Sequence, residues 1–144
     1  MPRQLTVTLC RGCCCGSTTK HPNVNHDAHA RRIRDAVRAS GTGVTRVVKC
    51  LDECEHSDVV LVRRTSPVGR REHFWLGPVN DAVDVDALAQ WLSGPPDTPL
   101  PDRLQRLRFA KRPPRPPLAA RVAAGTETSL ICPVSVPDPA AGRA

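Results

Sequence analysis

Leu5, Val7 and Leu9 alternate with Thr6 and Thr8, the period of a strand with one buried and one polar face. A polar loop, Arg11 to Asn25, follows and carries Pro22 and three successive cysteines. From about Asp27 to Ser40 the period lengthens: Ala30, Ile33 and Val37 share one helical face, while Arg31, Arg32, Arg34 and Arg38 turn to solvent. Asn25 or Asp27 suits the start of that helix and Gly41 its end. Val44 to Lys49 predicts a second strand. Asp58 to Val62 holds an apolar run without alternation, as in a central strand buried on both faces. His73 to Leu76 predicts a short fourth strand, set off by Pro67, Gly69 and a run of arginines. Val85, Leu88, Ala89 and Leu92 form the apolar face of a second helix, with Trp91 beside it. The order β-α-β-β-β-α predicts a compact α/β layer arrangement.

Beyond Ser93 the pattern stops. Residues 94–144 hold 11 of the chain's 15 prolines and no sustained period. The sequence therefore divides into a domain over 1–93 and a disordered Pro/Arg-rich tail over 94–144. Within the tail, Arg103 to Arg112 suits a short basic helix with Leu104 and Leu107 together, and Arg112 to Pro117 reads as polyproline-like. The core must be built of Val, Leu and Ala, because there is no Tyr and the aromatics are Phe74, Trp75, Trp91 and Phe109. A small domain with so few large side chains gains from a metal staple. The net charge is +7, with 18 Arg against 3 Lys. A GC-rich coding bias explains that ratio as readily as nucleic-acid binding does.

The cysteines change the picture most. Six of the seven lie in two short segments, Cys10 to Cys15 and Cys50 to Cys54, and Cys132 stands far away. A secreted disulfide framework spreads an even number along the chain; clustered thiols with one left over suit a reducing compartment, and the expected location is cytoplasmic. Thiolates gathered from two loops at strand ends are what an iron–sulfur cluster or a zinc ion requires. Cys10-x4-Cys15 and Cys50-x3-Cys54 let each loop present two sulfurs to one site.

In these residues the chain resembles the thioredoxin-like [2Fe–2S] ferredoxins, relatives of the peripheral cluster subunit of respiratory complex I. The resemblance rests on Cys10-x4-Cys15 after the first strand and on Cys50-Leu51-x2-Cys54 before the apolar Val59 to Val62. Phe74-Trp75-Leu76-Gly77 and the helix Val85 to Leu92 resemble the family's closing strand, turn and helix, so the likeness covers about residues 4–93. It implies a thioredoxin-like sandwich and a one-electron carrier rather than an enzyme. The implied cofactor is a [2Fe–2S] cluster held by Cys10, Cys15, Cys50 and Cys54, with Cys14 or Cys13 as alternatives to Cys15. The family usually has Gly after the Leu of the second loop and Gly-Pro before the next strand; here those places hold Asp52 and Glu55 to Asp58.

Two other readings compete. Four thiolates also suit a zinc-stabilised interaction module. A thiol–disulfide oxidoreductase using Cys10 and Cys13 would leave Cys50 and Cys54 without a role, and no proline lies between Asn23 and Ser66 to face such a pair. Cys54-Glu55-His56 begins a Rieske-type pattern whose second half is absent, and His21, His26, His29 and His56 read as surface groups. No phosphate loop, His-Glu-x2-His or Gly-x-Ser-x-Gly occurs, so no catalytic constellation is expected. Asp52, Glu53, Glu55 and Asp58 read as an acidic rim for docking a basic redox partner. The tail has the opposite sign, with 8 basic and 4 acidic residues, and its default role is a flexible tether. The expected partners are a reductase and an acceptor protein, with a homodimer left open. A membrane is not expected, because no stretch approaches the length of a spanning helix. Nor is specific RNA recognition, since aromatics do not interleave with the arginines.

Overall fold

The structure, a computed structural model, describes residues 4–12, 15–111 and 113. Along the chain come β1 (Leu5–Cys10), α1 (His26–Ala39), β2 (Gly43–Val48), a 3₁₀ turn (Cys54–His56), β3 (Val60–Thr65), β4 (Arg71–Leu76), α2 (Ala82–Ser93) and the short α3 (Asp102–Gln105). The strands form one mixed sheet in the order β2-β1-β3-β4. β1 runs parallel to β2 and antiparallel to β3, which is antiparallel to β4. A parallel neighbour cannot be reached by a hairpin, so α1 supplies the crossover from β1 to β2.

The alternation in β1 decides which face is covered. Leu5, Val7 and Leu9 join Val60, Val62, Phe74 and Leu76 in one core with Ala30, Ile33 and Val37 of α1 and Val85, Leu88 and Leu92 of α2. The register sets Thr6, Thr8, Leu61, Arg63, His73 and Trp75 on the opposite face. Asn25 begins α1 by accepting the Ala28 N–H at 3.0 Å, and Gly41, at φ 73°, ends it. Asp81 caps α2 in the same way, accepting from Val83 at 2.7 Å. β3 is central and its apolar residues are buried, as its unbroken run predicts.

The strands β3 and β4 are longer than their hydrophobic runs. Arg64 pairs with Glu72 across the ladder at 2.6 Å, lies over the rings of Phe74 and Trp91 at 5.2 and 5.0 Å, and donates to the Thr98 carbonyl at 2.7 Å. Polar residues so well partnered extend a strand that hydrophobicity alone ends early.

Residues 94–111 depart from the expected disordered tail. Leu100 and Leu104 are buried in the main core. The Arg103 guanidinium meets Asp84 of α2 at 2.6 Å, and the Trp91 indole N–H donates to the Thr98 carbonyl at 3.0 Å. Leu107 accepts from the Gly77 N–H, the Phe109 N–H donates to the Trp75 carbonyl at 3.0 Å, and Arg108 bridges Leu76, so the chain adds a short edge to β4. The prolines here suppress any period, yet single leucines suffice as anchors. The packed domain therefore runs past Ser93 to at least Phe109. Residues 114–144, with Cys132, lie outside the described residues, as do Cys13 and Cys14. Among the described residues no helix is long and apolar enough to cross a membrane.

Candidate metal centre

The first cysteine loop leaves the sheet at Cys10, whose N–H donates to the Val59 carbonyl at 3.1 Å, while Arg11 donates to Val48 at 2.9 Å. Gly12 has φ 144°, and a Cβ there would press on the Lys49 side chain at 3.1 Å. A glycine at this point lets the first loop run tight against the start of the second. The Gly12 N–H donates to the Cys15 carbonyl at 3.1 Å, closing a turn that returns Cys15 toward Cys10.

The second loop holds three non-glycine residues with left-handed backbones: Asp52 (φ 59°), Ser57 (φ 54°) and Asp58 (φ 38°). Asp and Asn tolerate this region better than other side chains. Asp52 thus keeps the kind of backbone that a glycine adopts freely. Its N–H donates to Cys50 Sγ at 3.3 Å. The 3₁₀ turn folds Cys54 back, with the two sulfurs of Cys50 and Cys54 3.5 Å apart.

The four expected sulfurs form two pairs. Cys10 and Cys15, both 1% exposed, share one buried cluster with Val59. Interaction with the Cys10 side chain lowers the Cys15 pKa to about 7, against the opposing effect of burial. Cys10 moves the other way, pushed well up by keeping the proton beside Cys15 and by burial. The Val59 N–H donates to Cys15 Sγ at 3.5 Å, and the Cys10 thiol donates to the Lys49 carbonyl at 3.9 Å. Cys50 lies close enough for its charge to raise Cys10 further. Cys50 is exposed and Cys54 half-buried. Among the described residues, the set whose ligand atoms converge within 4.8 Å of one another is Glu53, Glu55 and His56, not the cysteines.

The surroundings were less legible in the sequence. Leu51, Val59, Trp75 and Phe109 pack around Cys10 and Cys15 as an apolar wall. The His56 ring stacks on Phe109 at 3.6 Å, so it is not the solvated loop residue expected. Asp58 is 0% exposed: its Oδ1 accepts the Gly16 N–H at 2.6 Å and lies 3.5 Å from His26 Nδ1, while His21 Nε2 lies 3.7 Å from Oδ2 and 2.9 Å from Ser57 Oγ. This carboxylate joins the two cysteine loops to the start of α1. Burial chiefly, then the neighbouring His26, lowers the His29 pKa. The expected acidic rim is reduced to Asp52 and Glu55, because Glu53 and Asp58 are buried. A lone Asp opening an apolar run was the signal for Asp58. Phe109, the sole aromatic beyond Ser93, was the signal for the wall. No protein-family model matches the chain, and neither a curated protein nor a solved structure does.

Proposed function

We propose that the protein is a one-electron carrier holding a [2Fe–2S] cluster on Cys10, Cys15, Cys50 and Cys54 within a thioredoxin-like sandwich. The observation that carries the proposal is the pairing of the sulfurs. Two thiolates on one tetrahedral metal, at ~2.3 Å each, stand roughly 3.8 Å apart, and Cys50 and Cys54 are at 3.5 Å. Cys10 and Cys15, buried together beside Val59, supply the second pair. A single zinc would draw all four sulfurs to one point, and these four are not among the sets that converge. The strand order β2-β1-β3-β4, with β3 running against its neighbours, supports the thioredoxin-like reading.

The residues fit such a group in chemistry as well. A Cys15 pKa of about 7 makes a thiolate available near neutrality, and thiolates are the metal-binding form. The N–H groups of Asp52 and Val59 donate to Cys50 and Cys15. Such donors stabilise negative charge on sulfur and so raise the potential of a bound centre. When bound, the cluster supplies one-electron chemistry. The chain shields the Cys10 side behind Leu51, Val59, Trp75 and Phe109 and leaves the Cys50 side open to a partner. The clustered free thiols fit a reducing compartment such as the cytoplasm.

The test is the absorption spectrum of anaerobically purified protein before and after dithionite, with iron and sulfide counted on the same sample. Visible bands that bleach on reduction, with iron equal to sulfide at about two each per chain, are expected. A colourless protein holding one zinc would replace the carrier with a zinc-stabilised interaction module. A protein that stays colourless and metal-free after anaerobic reconstitution with iron and sulfide would exclude both.

A further inference from the structure

Among the described residues, the sheet face turned away from the helices carries arginines and no acids. The register sets Arg46 of β2, Arg63 of β3 and Arg71 and His73 of β4 on that face, and all four are exposed. Lys111 adds its ammonium 5.3 Å from the Trp75 ring on the same side. The sole carboxylate in the four strands, Glu72, belongs to the opposite side, where Arg64 pairs it. Between the cations lie half-buried Val44, Val48 and Thr6, a small apolar and hydroxyl-bearing centre, while Thr8 and Leu61 beside it are buried. The outer face of α1 differs: there Arg31, Arg34 and Arg38 stand among Asp27 and Asp35, and Arg32 pairs with Asp86 of α2.

The position of this face gives the charge a use. Cys10 ends β1 on it, Lys49 and Cys50 follow directly from β2, and Trp75 borders the cysteine pocket. At ~3.4 Å per strand residue, Arg46, Arg63 and Arg71 lie within roughly 20 Å of the cysteine end. Six-residue strands in a four-stranded sheet offer an area at the small end of protein interfaces, where transient encounters belong.

We propose that this face is the docking surface for an acidic redox protein, which it orients with its own electron-accepting group toward the Cys50–Cys54 side. The proposal rests on the electron-carrier reading, and it reverses the sign of partner that the acidic loop alone suggests. Two other occupants fit the observations less well. In a symmetric homodimer the patch would meet itself, cation against cation. Single-stranded nucleic acid calls for exposed aromatic faces on which bases stack, and Trp75 is covered by Lys111 and packed near Phe109.

The test compares the wild-type chain with two triple variants of equal charge change: Arg46→Glu/Arg63→Glu/Arg71→Glu on the sheet and Arg31→Glu/Arg34→Glu/Arg38→Glu on α1. The probe is an acidic flavodoxin, with association measured by biolayer interferometry over a salt series and electron transfer by stopped flow. Binding is read without reference to the metal, while iron and colour on each sample report the carrier reading separately. The wild type is expected to associate faster at low salt, and the sheet variant to lose roughly 10-fold or more in association rate. The α1 variant should lose much less. Equal losses in both variants, or association insensitive to salt, would overturn the proposal. So would a wild-type protein that dimerises through this face in sedimentation, or one that binds a single-stranded oligonucleotide more tightly than the flavodoxin.

Discussion

Cys10 and Cys15 are 1% exposed, whereas Cys50 is exposed and Cys54 half-buried. The two pairs have similar spacing in sequence and opposite origins in the fold. The inner pair is a product of the sheet: Cys10 is a ladder residue beside Val48 of β2, and Cys15 is drawn in by Val59 and by the loop that Asp58 anchors through Gly16. The outer pair is a local arrangement, made by a left-handed Asp52 and one 3₁₀ turn. Changes at the inner pair should therefore disturb folding and metal together, while changes at the outer pair should disturb metal alone.

The strongest way to break this contrast is to exchange one cysteine from each pair. Cys15→Ser should abolish iron binding and also destabilise the metal-free protein by about 1–3 kcal/mol, since it puts a hydroxyl where a buried thiol packs on Val59. Cys54→Ser should abolish iron binding equally and change metal-free stability by less than about 0.5 kcal/mol. Urea titrations of both metal-free proteins decide the matter; equal midpoints would erase the distinction between the pairs.

Asp58→Ala tests what holds the inner pair in place. Removing the buried carboxylate takes the acceptor from the Gly16 N–H and the partner from His26, with an expected loss of about 1–3 kcal/mol in urea. Asp58→Asn, which keeps an acceptor oxygen, should recover part of that loss and retain more iron than the alanine variant.

The inner pair should also give the metal-free protein its pH dependence. Cys15 in the folded chain titrates at about 7, below the ordinary 9.0, while Cys10 titrates well above it. Between pH 7 and 9 the unfolded chain holds both of these protons and the folded chain one, so stability rises with pH. Above pH 9 the unfolded chain releases both and the folded chain still holds one, so stability falls. Urea midpoints of reduced, metal-free protein should peak near pH 9, and Cys15→Ser should remove the rise below it.

The smallest expected effect sharpens the outer pair. Asp52→Gly relieves a left-handed non-glycine residue, and should stabilise the protein by up to about 1 kcal/mol while leaving metal content unchanged. Destabilisation in thermal melts would mean that the Asp52 side chain has a role of its own.

Most of the secondary structure was legible along the chain, because a strand's alternation and a helix's stripe are local consequences of burial on one face. β1, the face of α1 and the buried run in β3 follow directly from Leu5, Val7 and Leu9, from Ala30, Ile33 and Val37, and from Val59 to Val62. Strand ends were less legible. Arg63 and Arg64 look like the end of a strand until Glu72 and the rings of Phe74 and Trp91 are brought beside them.

The order of elements, the Asn25 cap of α1 and the gathering of thiols into two loops are local matters, each depending on neighbours within a few residues. Tertiary structure decided the rest. It turned Asp58 from a rim charge into a buried anchor, and it recruited Leu104 and Phe109 from a proline-rich segment into the core and the wall beside Cys10. It also sorted the arginines into a mixed helical face and a sheet face without acids among the described residues. Those outcomes depend on strand register and on contacts between residues far apart in the chain, which no local pattern encodes.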